Sequence, residues 1–347
     1  MKAEKCVLIQ EMPGLYAVGT AILGGEPYYL AASEIPGGKV AAVHCDTNEV
    51  HYIEGGRGGV MGIMPSVKEN CLLSIEEFYP GFDAPHSKIV EIRLEMTDGK
   101  WKTASRKELA EVPYLHRLGV LKEKDGYFLA AGRLCTRKDY VQDWDHPGFL
   151  EMLSFDADQV TSRETLTEGI VKHHAMLVEK RPEGDIVYYG GDQGLFRTVR
   201  ENGRWITDRL LDVPTSEIVF EDLDGDGVRE MAIVEQFHGG CLTIFKDRGN
   251  GYERVFEYPL TLGHALWGGM LAGSVSLVSG SRDGTGELTV RRFGTDADGN
   301  MQLKDELVAD TGIGPAQISI RDLGDKAEIL VSCYLIGQLA KYTITNA

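Results

Sequence analysis

Four glycines, Gly148, Gly194, Gly240 and Gly286, stand 46 residues apart, and each opens a short run of strand-forming residues: FLEMLSF, LFRTVRE, CLTIFKD and ELTVRRF. A fixed spacing of this kind means that one supersecondary unit is built repeatedly and stacked on its own copies. Gly337 opens a further copy, QLAKYTI, and looser copies lie at Lys88–Glu95 and Lys39–Cys45, so the run occurs seven times. Two apolar segments precede each copy, for example HAMLVEK then DIVYYGG, or EIVFEDL then EMAIVEQ. A polar, alternating segment follows, such as WITDRLL or YERVFEY. Four short strands repeated seven times predict an all-β, seven-bladed β-propeller, with residues 1–347 as a single domain. Helical repeats are excluded, because no segment keeps an apolar stripe at a period of about 3.6 residues over three turns.

The last repeat stops at Ala347 after its third strand. The run EKCVLIQ at Glu4–Gln10 comes before the first repeat and reads as a strand. It is expected to complete the last blade, which removes an open sheet edge.

Composition narrows the partners. The net charge of −17 argues against a nucleic-acid backbone as ligand. No apolar run reaches the roughly 18 residues of a membrane-spanning helix, so no membrane association is expected. The N-terminal apolar segment is broken by Gln10 and Glu11 and does not resemble a secretory signal. Six cysteines without a CxxC pair or a framework spacing read as reduced thiols, which together with the missing signal points to a cytoplasmic location. Oligomeric state leaves no mark in the sequence.

One stretch, Ser216–Lys246, carries two features of chemical interest. The first is the run Asp222, Asp224, Gly225, Asp226, Gly227, Glu230, whose alternating carboxylates can converge on one hard cation while the glycines permit the bend. The loop resembles the calcium loops of FG-GAP and VCBS propeller repeats over about one blade. Asp322–Glu328 is comparable but lacks the full carboxylate set. A structural Ca²⁺ at Asp222, Asp224, Asp226 and Glu230 and an Asx-stabilised turn are both open readings. Either makes the loop a brace between first and second strands.

The second feature is a register of histidines. In a propeller the first strand of each blade lines the channel. The starts of five successive first strands place His116, His174, Glu217, His264 and Gln317 in equivalent positions, with His173 a one-residue alternative to His174. The first two blades offer Leu15 and Val60 there. Three imidazoles, a carboxylate and an amide suit a divalent metal, with Mn, Fe or Mg favoured over structural Zn by the oxygen donors. The alternative is a set of polar channel residues satisfied by backbone and water.

Loops over the same rim add His238 and Gln236 in EQFHGG, Tyr140, Trp144, Asp145 and His146 in KDYVQDWDHPG, and Asp83 and His86 in YPGFDAPHS. Gln193, Arg197 and Arg282 lie close to the same rim, while His44 and His51 read as structural. Aromatic rings beside polar groups are the usual lining of a carbohydrate pocket, and packing of a long loop explains Trp144 and Tyr140 equally well. No nucleophile elbow, Walker loop or dinucleotide fingerprint is present.

The blade layout, the DLDGDG loop and the His/Gln register resemble propeller sugar lyases, namely oligogalacturonate lyases and, more closely, aldos-2-ulose dehydratases. That resemblance implies a metal-dependent carbon–oxygen lyase acting on a keto-sugar or related carbohydrate. His116, His174, His264 and Glu217 or Gln317 would hold the metal and polarise a carbonyl oxygen. His238 would serve as base, and His146 or Tyr140 as acid. Trp144, Gln236, His86 and Arg282 would bind substrate. The rival expectation is a non-catalytic propeller that serves as a ligand-binding or protein-interaction platform.

Overall fold

A computed structural model of the chain describes residues 1–346. Among them are seven four-stranded antiparallel sheets, and a single three-residue 3₁₀ turn supplies the helical content. The fold is the all-β, seven-bladed β-propeller predicted by the repeat. In chain order the blades span 15–53, 62–111, 115–170, 175–211, 215–259, 263–310 and 315–345. The first six are meanders whose strands pair with their sequence neighbours, and the seventh is completed by the N-terminal strand.

Turn chemistry explains why the strands stop where they do. Gly24–Gly25, Asp98–Gly99, Asn202–Gly203 and Ala272–Gly273 each place two consecutive residues at positive φ. That is the requirement of the two-residue turn whose twist matches a right-handed hairpin. These turns join first to second strands or third to fourth strands. The loops between second and third strands therefore emerge at the other end of each blade.

The chain packs as two compact units. The four-blade unit, Met12–Pro214, holds the first four blades. Blades three and four stack through Leu121, Phe128, Met152, Val187 and Tyr189, all buried. The three-blade unit joins Thr215–Ala347 to Met1–Glu11. Its fifth and sixth blades share Val234, Ile244, Leu277 and Phe293. Its sixth and seventh share Val290, Ile329, Val331 and Tyr342. None of the six cysteines forms a disulfide. No helix among the described residues is long and apolar enough to cross a membrane.

The N-terminal strand Lys2–Ile9 pairs antiparallel with Gln338–Thr345, from Lys2 opposite Thr345 to Ile9 opposite Leu339. It is the outer strand of the seventh blade, two residues earlier at its start than the sequence suggests. Side chains reinforce the pairing. Lys5 Nζ lies 2.8 Å from Asp310 Oδ2, and the buried Tyr342 hydroxyl donates to the same carboxylate at 2.6 Å. Deleting residues 1–10 strips the ladder from Gln338–Thr345. At roughly 1 kcal/mol per backbone hydrogen bond the loss amounts to several kcal/mol. Thermal melting should show a sharply lowered midpoint, and a truncated chain that melted with the full-length protein would contradict the closure.

Candidate functional site

The starts of the first strands share a backbone irregularity that sets which side chain stands where. In the third blade Leu115 pairs with Arg133 and Arg117 with Gly132, so His116 sits at a bulge. In the sixth, Gly263 pairs with Ser281 and Ala265 with Gly280, which puts His264 at the same position. A bulge leaves one residue without a ladder partner and re-aims its side chain. In the fifth blade the bulged residue is Ser216, because Thr215 pairs with Glu235 and Glu217 with Val234. Glu217 therefore falls one residue beyond the histidine position, in the place of Arg117. In the seventh blade the irregularity spans Ala316 and Gln317, between Pro315 and Ile318. His174, just before Ala175 opposite Gly190, matches His116. The register expected for Glu217 is corrected by the bulge, and Gln317 shares an irregular stretch with Ala316.

In the four-blade unit His116, His173 and His174 are all buried. The His116 and His174 rings lie 4.6 Å apart, and Phe78 meets His116 edge-on. Arg117 Nε donates to the His174 carbonyl at 2.6 Å, and its Nη2 lies 3.1 Å from His174 Nδ1. Guanidinium is only a donor, so Nδ1 accepts and the neutral ring carries its proton on Nε2. That tautomer presents N–H, not a lone pair, to whatever faces Nε2. His173 places Nδ1 3.4 Å from the Phe149 carbonyl, and burial drives its pKa down to about 3. It is a neutral core histidine.

In the three-blade unit His264 shows the opposite tautomer. Its Nδ1 donates to the Ala316 carbonyl at 2.6 Å, which leaves Nε2 as the acceptor, the state a metal-ligating imidazole needs. His238 approaches at 5.1 Å between ring centroids. It is delivered by the tight loop after Glu235, where Gln236 and His238 both adopt positive φ and Phe237 stacks on His238 at 3.9 Å. A Cβ at Gly239 would collide with the Glu235 carbonyl, so this bend depends on glycine. Glu217 and Gln317 are half-buried, and Gln236 is exposed.

The long loop of the third blade folds on itself. Lys138 Nζ stands 3.4 Å above the centre of the Trp144 ring and donates to the Val141 and Asp143 carbonyls. An ammonium therefore covers a ring face on which a sugar could stack. The buried Asp143 accepts the Asp139 and Asp145 amides, which hold its carboxyl below the usual range. His146 Nε2 lies 3.6 Å from Asp143. Tyr140 points to solvent. His86 is exposed 3.8 Å from Glu111, and Arg282 lies 3.8 Å over the Tyr334 ring. Outer-strand histidines behave structurally: His51 Nδ1 accepts the Trp101 amide at 2.9 Å, and His44 Nδ1 the Asp46 amide at 3.2 Å.

The acidic loop of the fifth blade contains what the sequence left open. Asp222 accepts the amides of Gly225 and Gly227 at 2.9 and 3.0 Å, so the Asx turn is present. Asp224, Asp226 and Glu230 converge on Lys246 Nζ at 2.7, 2.6 and 2.9 Å. Sequence reasoning missed Lys246, Arg117, Lys138 and Phe237. Strand alternation could have flagged Lys246, which shares a face with Leu242 and Ile244.

No protein-family model matches the chain, and no curated protein matches its sequence. Solved structures do. A chain in the crystal structure of the mitotic checkpoint complex aligns with a TM-score of 0.60 and 10% identity, over 99% of this chain and 91% of that one. Saccharomyces cerevisiae Sqt1 aligns over all of both chains with a TM-score of 0.53 and 11% identity. The structure of BBS1N in complex with ARL6DN aligns with a TM-score of 0.59 and 13% identity, over 100% of this chain and 97% of that one. Likeness at such identities establishes the propeller fold alone.

Burial of neutral His173 makes stability pH-dependent. The unfolded chain takes up a proton below the ordinary histidine pKa of about 6.5 and the folded chain does not. The contribution therefore destabilises as pH falls from about 6.5 towards 3, by up to about 1.4 kcal/mol per pH unit. Denaturant melts of His173→Gln between pH 6.5 and 4 should show a shallower slope than wild type by that amount. Parallel slopes would place His173 in contact with water.

Proposed function

We propose that this protein is a non-catalytic interaction propeller that binds protein partners through loops at the rim where second and third strands connect. The observation that carries the reading is the short turn at Tyr334–Ile336. This 3₁₀ turn lies between the second and third strands of the seventh blade. Arg282 packs on Tyr334, while Leu335 and Ile336 face outward, 50% and 43% exposed. In the four-blade unit the corresponding loop of the third blade exposes Tyr140 and Val141, 62% and 43%. Aliphatic and aromatic side chains held out on anchored loops suit the desolvated centre of a protein interface. Two of the similar solved structures, the mitotic checkpoint complex and BBS1N in complex with ARL6DN, are complexes.

A second reading, the metal-dependent sugar lyase, draws support from His264, whose Nδ1 donation leaves Nε2 suited to a metal, and from His238 beside it. The group fits in part. His264 has the donor character required, whereas His174 in its Arg117-bound tautomer does not. If bound, a divalent ion would supply Lewis acidity; His238 would then be the residue placed to hold or move a proton.

Two measurements separate these readings. Leu335→Asp/Ile336→Asp should fold and melt like wild type and lose, by at least tenfold, the partner that wild type captures from its native cells. Equal capture by the variant would remove the loop from the interface. A panel of keto-sugars incubated with wild type should show no unsaturated product by ultraviolet absorbance. Turnover that vanished in His238→Ala would establish the lyase instead.

A further inference from the structure

The spacing of the DLDGDG loop suggests a metal ion, and the cation it meets is a lysine. Lys246 enters from the third strand of the fifth blade and is buried, as are Asp224 and Glu230. Its ammonium lies within ion-pair distance of three carboxylates, Asp224, Asp226 and Glu230, at 2.6–2.9 Å, and donates a hydrogen bond to Asp224. Glu230 Oε2 also accepts the Leu223 amide at 2.8 Å, which ties the second strand to the loop. A calcium ion would take these same oxygens at about 2.3–2.6 Å, so ion and ammonium compete for one position. The seventh blade has a different arrangement: Lys341 Nζ lies 3.0 Å from Glu328 Oε1, both buried, but Glu328 stands opposite Thr343 and also meets Arg321.

We infer that Lys246 is the resident cation of this loop, so that the fifth blade is braced without metal and the loop becomes a Ca²⁺ site only when the ammonium is removed. The inference goes beyond the interaction reading, since the loop joins first to second strands, away from the rim loops. Removing Lys246 leaves two buried carboxylates uncompensated, a state that a divalent ion relieves.

The test is calorimetric titration of CaCl₂ into EGTA-treated wild type, with melting in EGTA and in millimolar CaCl₂. Wild type should take up no calcium and melt identically in both, as should Lys246→Arg. Lys246→Ala should melt several degrees lower in EGTA and recover in CaCl₂, with a Kd on the order of 10⁻⁴–10⁻³ M. Stoichiometric calcium binding by wild type overturns the inference whether or not the variant folds. A folded Lys246→Ala without a calcium response overturns it as well.

Discussion

The backbone ladder between Lys2–Ile9 and Gln338–Thr345 is the contact on which the three-blade unit depends. A meander blade is stable when each strand has a partner and its outer edge does not recruit another chain. Blades one to six meet that condition with consecutive strands, so their order is local. The seventh blade cannot, and it takes its outer strand from the far end of the chain. Lys5 and Tyr342, meeting on Asp310, add a side-chain lock to that ladder. The same packing also buries Ile329, Val331 and Tyr342 against the sixth blade.

Beyond that closure, several buried polar groups are each answered by a fixed partner. Arg117 answers His174, the Ala316 carbonyl answers His264, and three carboxylates answer Lys246. Such pairs are costly to bury and costlier to break, because losing one partner strands the other. Arg117 fixes the tautomer of His174, and the Ala316 carbonyl fixes that of His264, whose Nε2 is the acceptor atom. On the loops, Leu335, Ile336, Tyr140 and Val141 face solvent.

Much of this architecture was legible in the chain. Glycines at a constant spacing mark where third strands begin, and an unpaired run before the first repeat marks the closing strand. Site geometry was less legible, for two physical reasons. Nothing in composition announces a β-bulge, yet the bulge decides that Ser216 takes the histidine position and Glu217 the next one. Long-range pairing is equally silent. Lys138 covers Trp144 and Arg117 fixes His174 through contacts that no spacing rule contains. The acidic loop shows the same limit, since its carboxylates suggested a metal and the cation came from Lys246, sixteen residues after Glu230.

On the interaction role proposed for this propeller, the anchored apolar side chains of the rim loops are covered by a partner. Hydroxyl-radical footprinting, in native cells and on the purified protein, reads that covering directly. The account predicts strong protection of Leu335, Ile336 and Tyr140 in cells relative to the isolated chain, with Ile22 and Met270, exposed at first-to-second-strand turns, labelled equally in both. Equal labelling of Leu335 and Ile336 in the two settings would contradict it.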